Sequence, residues 1–166
     1  MPLQFERLRI LVVDDNKFMR RLYRQLLQSL GVRALYITEA HDGQTAIEKL
    51  TQHDCDVAIC DLNMRPMNGK EFTRYIRTHP QSPDPYLPII VSTGHTELVH
   101  ISDARDAGAN EILRKPVTGA AIYSRLQAVI ESPRPFIITK DFIGPDRRRR
   151  TLPFDGPERR VSVLEV

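Results

Sequence analysis

Five short apolar runs, each followed by a stretch with helical spacing, constrain the fold of this chain more than any other feature. The runs are "LRILVVDD" (8–15), "ALYITEA" (34–40), "CDVAICD" (55–61), "PIIVST" (88–93) and "EILRKP" (111–116). After the first, Phe18, Met19, Leu22, Tyr23, Leu26, Leu27 and Leu30 recur at the three-and-four spacing of one helix face. Asn16 stands where a helix cap is needed, Gly31 where a helix stops, and Asp42 opens the second helix. Further helices are predicted over 70–78, 97–109 and 119–132. The prolines of "HPQSPDPYLP" (79–88) return the chain to extended structure before the fourth strand. Five strands alternating with five helices predict a parallel sheet covered on both faces. Right-handed crossovers limit this α/β pattern to a doubly wound sheet, taken here in the flavodoxin-like five-stranded order 2-1-3-4-5, in which strands one and three are neighbours at the switch point. The 166 residues suffice for one such domain, assigned to 1–130, and a C-terminal extension, 131–166.

Composition excludes little beyond the membrane. The chain is 41% hydrophobic and 27% charged, and none of its apolar runs approaches the roughly 18 residues of a membrane span. The N-terminal "MPLQFERLRI" lacks the apolar core of a signal peptide, so a cytoplasmic location is expected. Cys55 and Cys60 read as small strand residues; on one strand their side chains point to opposite faces, which opposes a disulfide.

The polar residues that end the strands form the functional signal. In doubly wound sheets ligands bind beyond the carboxyl ends of the strands, where strand order reverses. Strand one ends in Asp14 and Asp15, strand three in Asp61, strand four in Ser92 and Thr93, and strand five in Lys115 and Pro116. Three close carboxylates resist ionising together. A hard divalent cation such as Mg2+ relieves that conflict, which leaves one carboxylate able to act as a nucleophile. Lys115 could neutralise a phosphoryl oxygen and the Thr93 hydroxyl could donate to another, and phosphoryl transfer needs little more. Singly, each residue has a plainer reading: Asp15 and Asn16 compete to cap the first helix, Thr93 could cap the fourth, and Lys115 could be a solvated loop residue. Together at the correct ends of alternating strands, they point to one site.

"LVVDD", "CDLNM..MNG", "VSTG" and "LRKP", with "TEAHDGQTAIEKL" between strands two and three, resemble the receiver domains of two-component response regulators. The likeness runs from about Leu8 to Ile130. It implies that Asp61 accepts the phosphoryl group and that Asp14 and Asp15, with Asp61 and the main-chain carbonyl of Asn63, hold Mg2+. Thr93 would be the switch hydroxyl, Lys115 the phosphoryl-binding lysine, and Lys115–Pro116 a cis bond. The implied function is a signalling switch rather than a turnover enzyme. It would accept a phosphoryl group from the phosphohistidine of a sensor histidine kinase or phosphotransfer protein, with a homodimer among the outcomes.

Three positions depart from the family pattern. Arg65 follows Met64 where a proline is usual, and Pro66 comes one residue later. Ile112 stands where an aromatic residue commonly reports phosphorylation. His95, two residues after Thr93, occupies a position that tunes the lifetime of the acyl phosphate.

The extension carries a repeat, "FIGPDRR" (142–148) and "FDGPERR" (154–160), and two stretches, "FIITKDFI" and "VSVLEV", that could be short strands. From Glu131 onward eight Lys/Arg face six Asp/Glu, and the excess lies in "DRRRR" (146–150), within a net charge of only +3. The favoured reading is a docking element, with each Phe as anchor and each arginine pair as a fork for carboxylates, on this receiver, a second copy or a partner. The alternatives are a nucleic-acid contact, weakened by the interspersed acids and the lack of a reading helix, and a solvated disordered tail. Service as a phosphate sink or relay component stays open. A small phosphate-ester hydrolase using Asp61 is weaker, because Asn63 offers no second acid.

Overall fold

The computed structural model describes residues 4–94 and 98–147, together with the backbone of 162–164. Its main sheet contains β1 (Ile10–Val13), β2 (Ile37–Ala40), β3 (Val57–Asp61), β4 (Ile89–Thr93) and β5 (Glu111–Arg114). The order is β2-β1-β3-β4-β5 and every pairing is parallel, as the alternating pattern required. Between the strands run α1 (Lys17–Ser29), α2 (Gly43–Gln52), α3 (Gly69–Thr78) and α4 (Leu98–Ala107), with α5 (Gly119–Glu131) after β5. None of the described helices is long and apolar enough to cross a membrane.

Strand alternation divides the core in two. Val13, Cys60, Val91 and Ile112 face one side, where Phe72 and Ile76 of α3 cover them. Val12, Ile59, Ile90 and Leu113 face the other, against Tyr23 and Leu27 of α1 and Leu126 of α5. Asn16 caps α1 by accepting from the Phe18 and Met19 amides, and Asp42 and Thr118 cap α2 and α5 in the same way. Gly31 adopts φ 101°, the left-handed geometry that ends α1.

Two expectations need correction. Residues 34–36 do not extend β2; they form a single 3-10 turn, closed by the Tyr36 amide donating to the Arg33 carbonyl. Pairing with β1 begins only at Ile10 opposite Ile37, so the edge strand has no partner for the earlier residues. Cys55 lies ahead of β3 rather than on it. Both cysteines are nonetheless free thiols, Cys60 buried and Cys55 half-buried.

After α5 the chain builds a second, antiparallel sheet in the order β7-β6-β8, from β6 (Phe136–Ile138), β7 (Ile143–Pro145) and β8 (Ser162–Leu164). It packs under the amino ends of β4 and β5, at the end of the main sheet opposite the terminal acids. Phe136 is buried there, edge-on to Tyr86 with ring centroids 5.3 Å apart. Gly144 closes on Gly108, where an added Cβ would stand 2.9 Å from the Gly108 Cα. Arg134 donates to the carbonyls of Asn110 and Asp146. In the first repeat copy, Arg147 pairs with Asp106 of α4 and lies 4.8 Å from the Phe142 ring centroid. The second copy and Arg148 to Arg150 lie outside the described residues, as does His95.

Candidate functional site

The carboxyl ends of β1, β3, β4 and β5 bring the strand-end residues together. Asp14 and Asp15 leave β1 and Asp61 ends β3; each offers a carboxylate oxygen within 4.8 Å of the others. Asp14 and Asp61 are buried, whereas Asp15 is exposed. Just beyond β5, the Lys115 ammonium lies 3.1 Å from Asp61 Oδ1 and 3.7 Å from Asp14 Oδ2. Thr93, which ends β4, is buried, and its carbonyl accepts from the Lys115 amide at 2.9 Å. Lys115–Pro116 is cis, and so is Arg65–Pro66 in the loop after β3. Asn63 and Arg65 are exposed on that loop, while Met64 between them is buried.

The electrostatics of the group are unsettled in a telling way. Burial pushes the Asp14 carboxyl above its ordinary range, and the neighbouring Asp61 and Asp15 push it further; the Asn16 amide and Lys115 oppose the shift. Asp61 is raised as well, mainly by burial, against the pull of Lys115 and of the Asn63 amide. Asp14 Oδ1 accepts from the Asn16 amide at 2.8 Å. Asp14 Oδ2 is the one buried side-chain oxygen or nitrogen among the described residues without a hydrogen-bond partner. An orphaned carboxylate oxygen between two further carboxylates is what a hard, oxygen-seeking divalent cation satisfies, so the donor set fits Mg2+.

Several contributors escape a reading of the sequence. Tyr23 looks like an ordinary member of the apolar stripe of α1. Its hydroxyl nevertheless reaches the Ser92 hydroxyl at 2.6 Å in the core, beside Thr93. Ser92 in turn accepts the Leu62 amide at 2.8 Å through its carbonyl, which ties β4 to the residue after Asp61. Arg20, one turn into α1, donates to the Asp14 carbonyl at 2.8 Å. Tyr23 and Arg20 have no sequence signal beyond their place on the buried or site-facing side of α1, and Ser92, named among the residues that end strand four, gives no hint of its partners.

Gly69 is required by the turn that follows Asp61. Its amide donates to the Leu62 carbonyl at 3.0 Å, and a Cβ would stand 2.3 Å from the Asp61 carbonyl oxygen. The adjacent Asn68 and Glu71 form a reciprocal capping box that fixes the start of α3. Gly69→Ala must therefore displace backbone, and is expected to destabilise by about 1–3 kcal/mol. A lowered urea midpoint with an unchanged m-value would register it.

Residues 10–127 match the response regulator receiver domain. The chain belongs to that family. It is 34% identical over 124 residues to chemotaxis protein CheY-3 of Vibrio cholerae, covering 75% of this chain and 92% of that one. To chemotaxis protein CheY of Pseudomonas aeruginosa it is 32% identical, covering 75% and 97%. Among solved structures, Vibrio cholerae chemotaxis protein CheY4 superposes with a TM-score of 0.66 at 31% identity, over 74% of this chain and 98% of that one. The receiver domain of a Pseudomonas aeruginosa sensor histidine kinase, solved with a magnesium ion coordinated in its active site cleft, gives a TM-score of 0.65 at 29% identity. That match covers 74% of this chain and 97% of the other. The receiver-like portion is thus nearly complete relative to these proteins, and the extension lies largely outside the match.

Proposed function

We propose that Asp61 accepts a phosphoryl group from the phosphohistidine of a sensor histidine kinase or phosphotransfer protein, and that the acyl phosphate switches a protein-interaction surface. The observation that carries this reading is the 3.1 Å contact between Lys115 and a buried Asp61 within a three-carboxylate cluster. An Asp61 carboxylate oxygen attacks phosphorus, the P–N bond breaks, and its electron pair leaves with the imidazole nitrogen. Lys115 balances charge on the transferred group, and the Thr93 hydroxyl donates to one of its oxygens. Asp14, Asp15, Asp61 and the Asn63 carbonyl are the ligands for Mg2+. The ion supplies Lewis-acid stabilisation of phosphoryl oxygens when bound.

Phe18, 79% exposed at the start of α1 and four residues after Asp14, offers an apolar contact for the donor protein. Ile112 is buried and has no polar tip, so the output change runs through the backbone of β4 and β5 rather than through an aromatic rotation. The extension acts as a docking element on its own receiver, a role supported by the Arg147–Asp106 pair. The chain is read as a cytoplasmic signalling switch without turnover of a separate substrate.

The test is the intact mass after treatment with acetyl phosphate and Mg2+, for wild type and Asp61→Asn. One added phosphoryl group in wild type, absent from Asp61→Asn or when Mg2+ is chelated, is the expected result. Uptake that survives in Asp61→Asn would move the acceptor elsewhere. Failure of wild type to bind beryllofluoride would show a receiver fold used without its chemistry.

A further inference from the structure

Tyr23 and Ser92 place two hydroxyls at the edge of a core that is otherwise aliphatic. Tyr23 is 1% exposed and Ser92 is fully buried, and the tyrosine hydroxyl donates to Ser92 Oγ at 2.6 Å. Val12, Ile59 and Ile90, register partners on β1, β3 and β4, form one row of side chains against Tyr23. The next row on the same face, two residues further along each strand, is Asp14, Asp61 and Ser92. Ser92 is the direct register partner of Asp61, on strands about 4.8 Å apart. The hydroxyl pair therefore meets in the row of the carboxylates, not deeper in the sheet.

The pair also joins elements that the site needs at fixed spacing. In the sheet order β3 lies between β1 and β4. From α1, Arg20 donates to the Asp14 carbonyl just past β1, and Tyr23 donates to Ser92 on β4. The two contacts straddle the strand that ends in Asp61. Ser92 extends the constraint through its carbonyl, which accepts the Leu62 amide at 2.8 Å. Thr93 does so through its own, which accepts the Lys115 amide at 2.9 Å. Burial above all, with Asp14 and Asp61 adding and the Ser92 bond opposing, holds the Tyr23 phenol above its ordinary range, so it stays a neutral donor.

A phenylalanine–alanine pair would leave no polar group to satisfy, and replacing both partners of a buried hydrogen bond by apolar groups is nearly neutral for stability. An apolar pair does not fix one alignment, whereas a hydrogen bond is directional. We propose that Tyr23 and Ser92 are positioning residues for phosphoryl transfer: their bond locks the end of β4 to α1 and holds Thr93 and Lys115 in place against Asp61. The inference rests on the phosphoryl-acceptor reading and adds two residues to it. Neither touches the transferred group; both act through the backbone of β4.

The test is the time course of phosphoryl uptake from acetyl phosphate and Mg2+ by the full chain, read as intact mass. Wild type is compared with Tyr23→Phe, Ser92→Ala and the double variant. Tyr23→Phe should lower the rate constant at saturating acetyl phosphate about tenfold, because small misplacements of reacting groups cost large factors. The Mg2+ dissociation constant should stay as in wild type, since Asp14, Asp15, Asp61 and the Asn63 carbonyl are untouched. The double variant should regain the melting temperature that Ser92→Ala loses, yet keep the low rate. Should Tyr23→Phe alone not fold, the double variant makes the same comparison. A bond with a structural role only makes the rate follow the melting temperature and return in the double variant, and that result overturns the proposal. If wild type takes up no phosphoryl group, the acceptor reading fails and this inference with it. Equal rates in wild type and Tyr23→Phe remove this inference alone.

Discussion

Arg77→Ala is expected to lower stability by about 3 kcal/mol or more and to loosen the C-terminal extension in the same step. Arg77 lies in α3 with 2% of its surface exposed. Its Nε donates to the Gly108 carbonyl at 3.0 Å, Nη1 to the Pro85 carbonyl at 2.9 Å, and Nη2 to Asn110 Oδ1 at 2.9 Å. Asn110 Oδ1 also accepts the Ile89 amide, so the guanidinium ties α3 to the amino ends of both β4 and β5. The Phe136 ring covers it, with its centroid 4.9 Å from the guanidinium carbon. Burial pulls the group down to about 9, still charged at neutral pH, while Asp84 pulls it the other way. Alanine would leave the Gly108 and Pro85 carbonyls short of a donor and Phe136 above a void. The expected readouts are a melting temperature lower by about 10 °C and early proteolysis between α5 and β7. Arg77→Lys should recover little, because one ammonium cannot span three acceptors set in a planar fork. A melting temperature within a degree of wild type would contradict this account.

Asp14→Asn is expected to act in opposite directions with and without metal. Asp14 and Asp61 have raised carboxyl pKa values in the fold, so their contribution to stability is fully present below the unfolded carboxylate range, near pH 4. It is lost as pH rises through the raised folded values, because the buried charged forms are then disfavoured. Removing the Asp14 charge should therefore raise the melting temperature of metal-free protein by a few degrees at pH 7. The gain should shrink toward zero near pH 4, where wild type carries the proton. With Mg2+ the order reverses. A site filled at about a hundredfold above its Kd adds about 2.7 kcal/mol to wild type. Asp14→Asn, lacking the ligand oxygen that has no partner in the fold, should gain little from Mg2+. Thermal scans at several pH values, each with Mg2+ or chelator, give both signs. An equal Mg2+ response in the two proteins would remove Asp14 from the metal site.

The carboxylate site was legible because its parts are local. A strand ending in Asp61, or in Asp14 and Asp15, is visible in a handful of residues, and the alternation that makes the sheet parallel brings those ends to one edge. Helix starts were equally local, since Asn16 and Asp42 cap through amides two or three residues away. The 3-10 turn at Ala34–Tyr36 was not, because a run of strand-forming residues cannot show where its edge-strand partner begins.

Arg77 marks the boundary most clearly. In the sequence it is one more base near the end of a helix, and only the fold buries it against carbonyls 8 and 31 residues away. Tyr23 likewise reads as core, although its hydroxyl finds Ser92 69 residues later. The sequence alone determined the strand–helix alternation and which polar residues end the strands, because period and termination are encoded within a few residues. The tertiary structure decided which bases are buried, how the extension meets the sheet and which core hydroxyls meet. Those outcomes depend on contacts between distant segments, which no local pattern specifies.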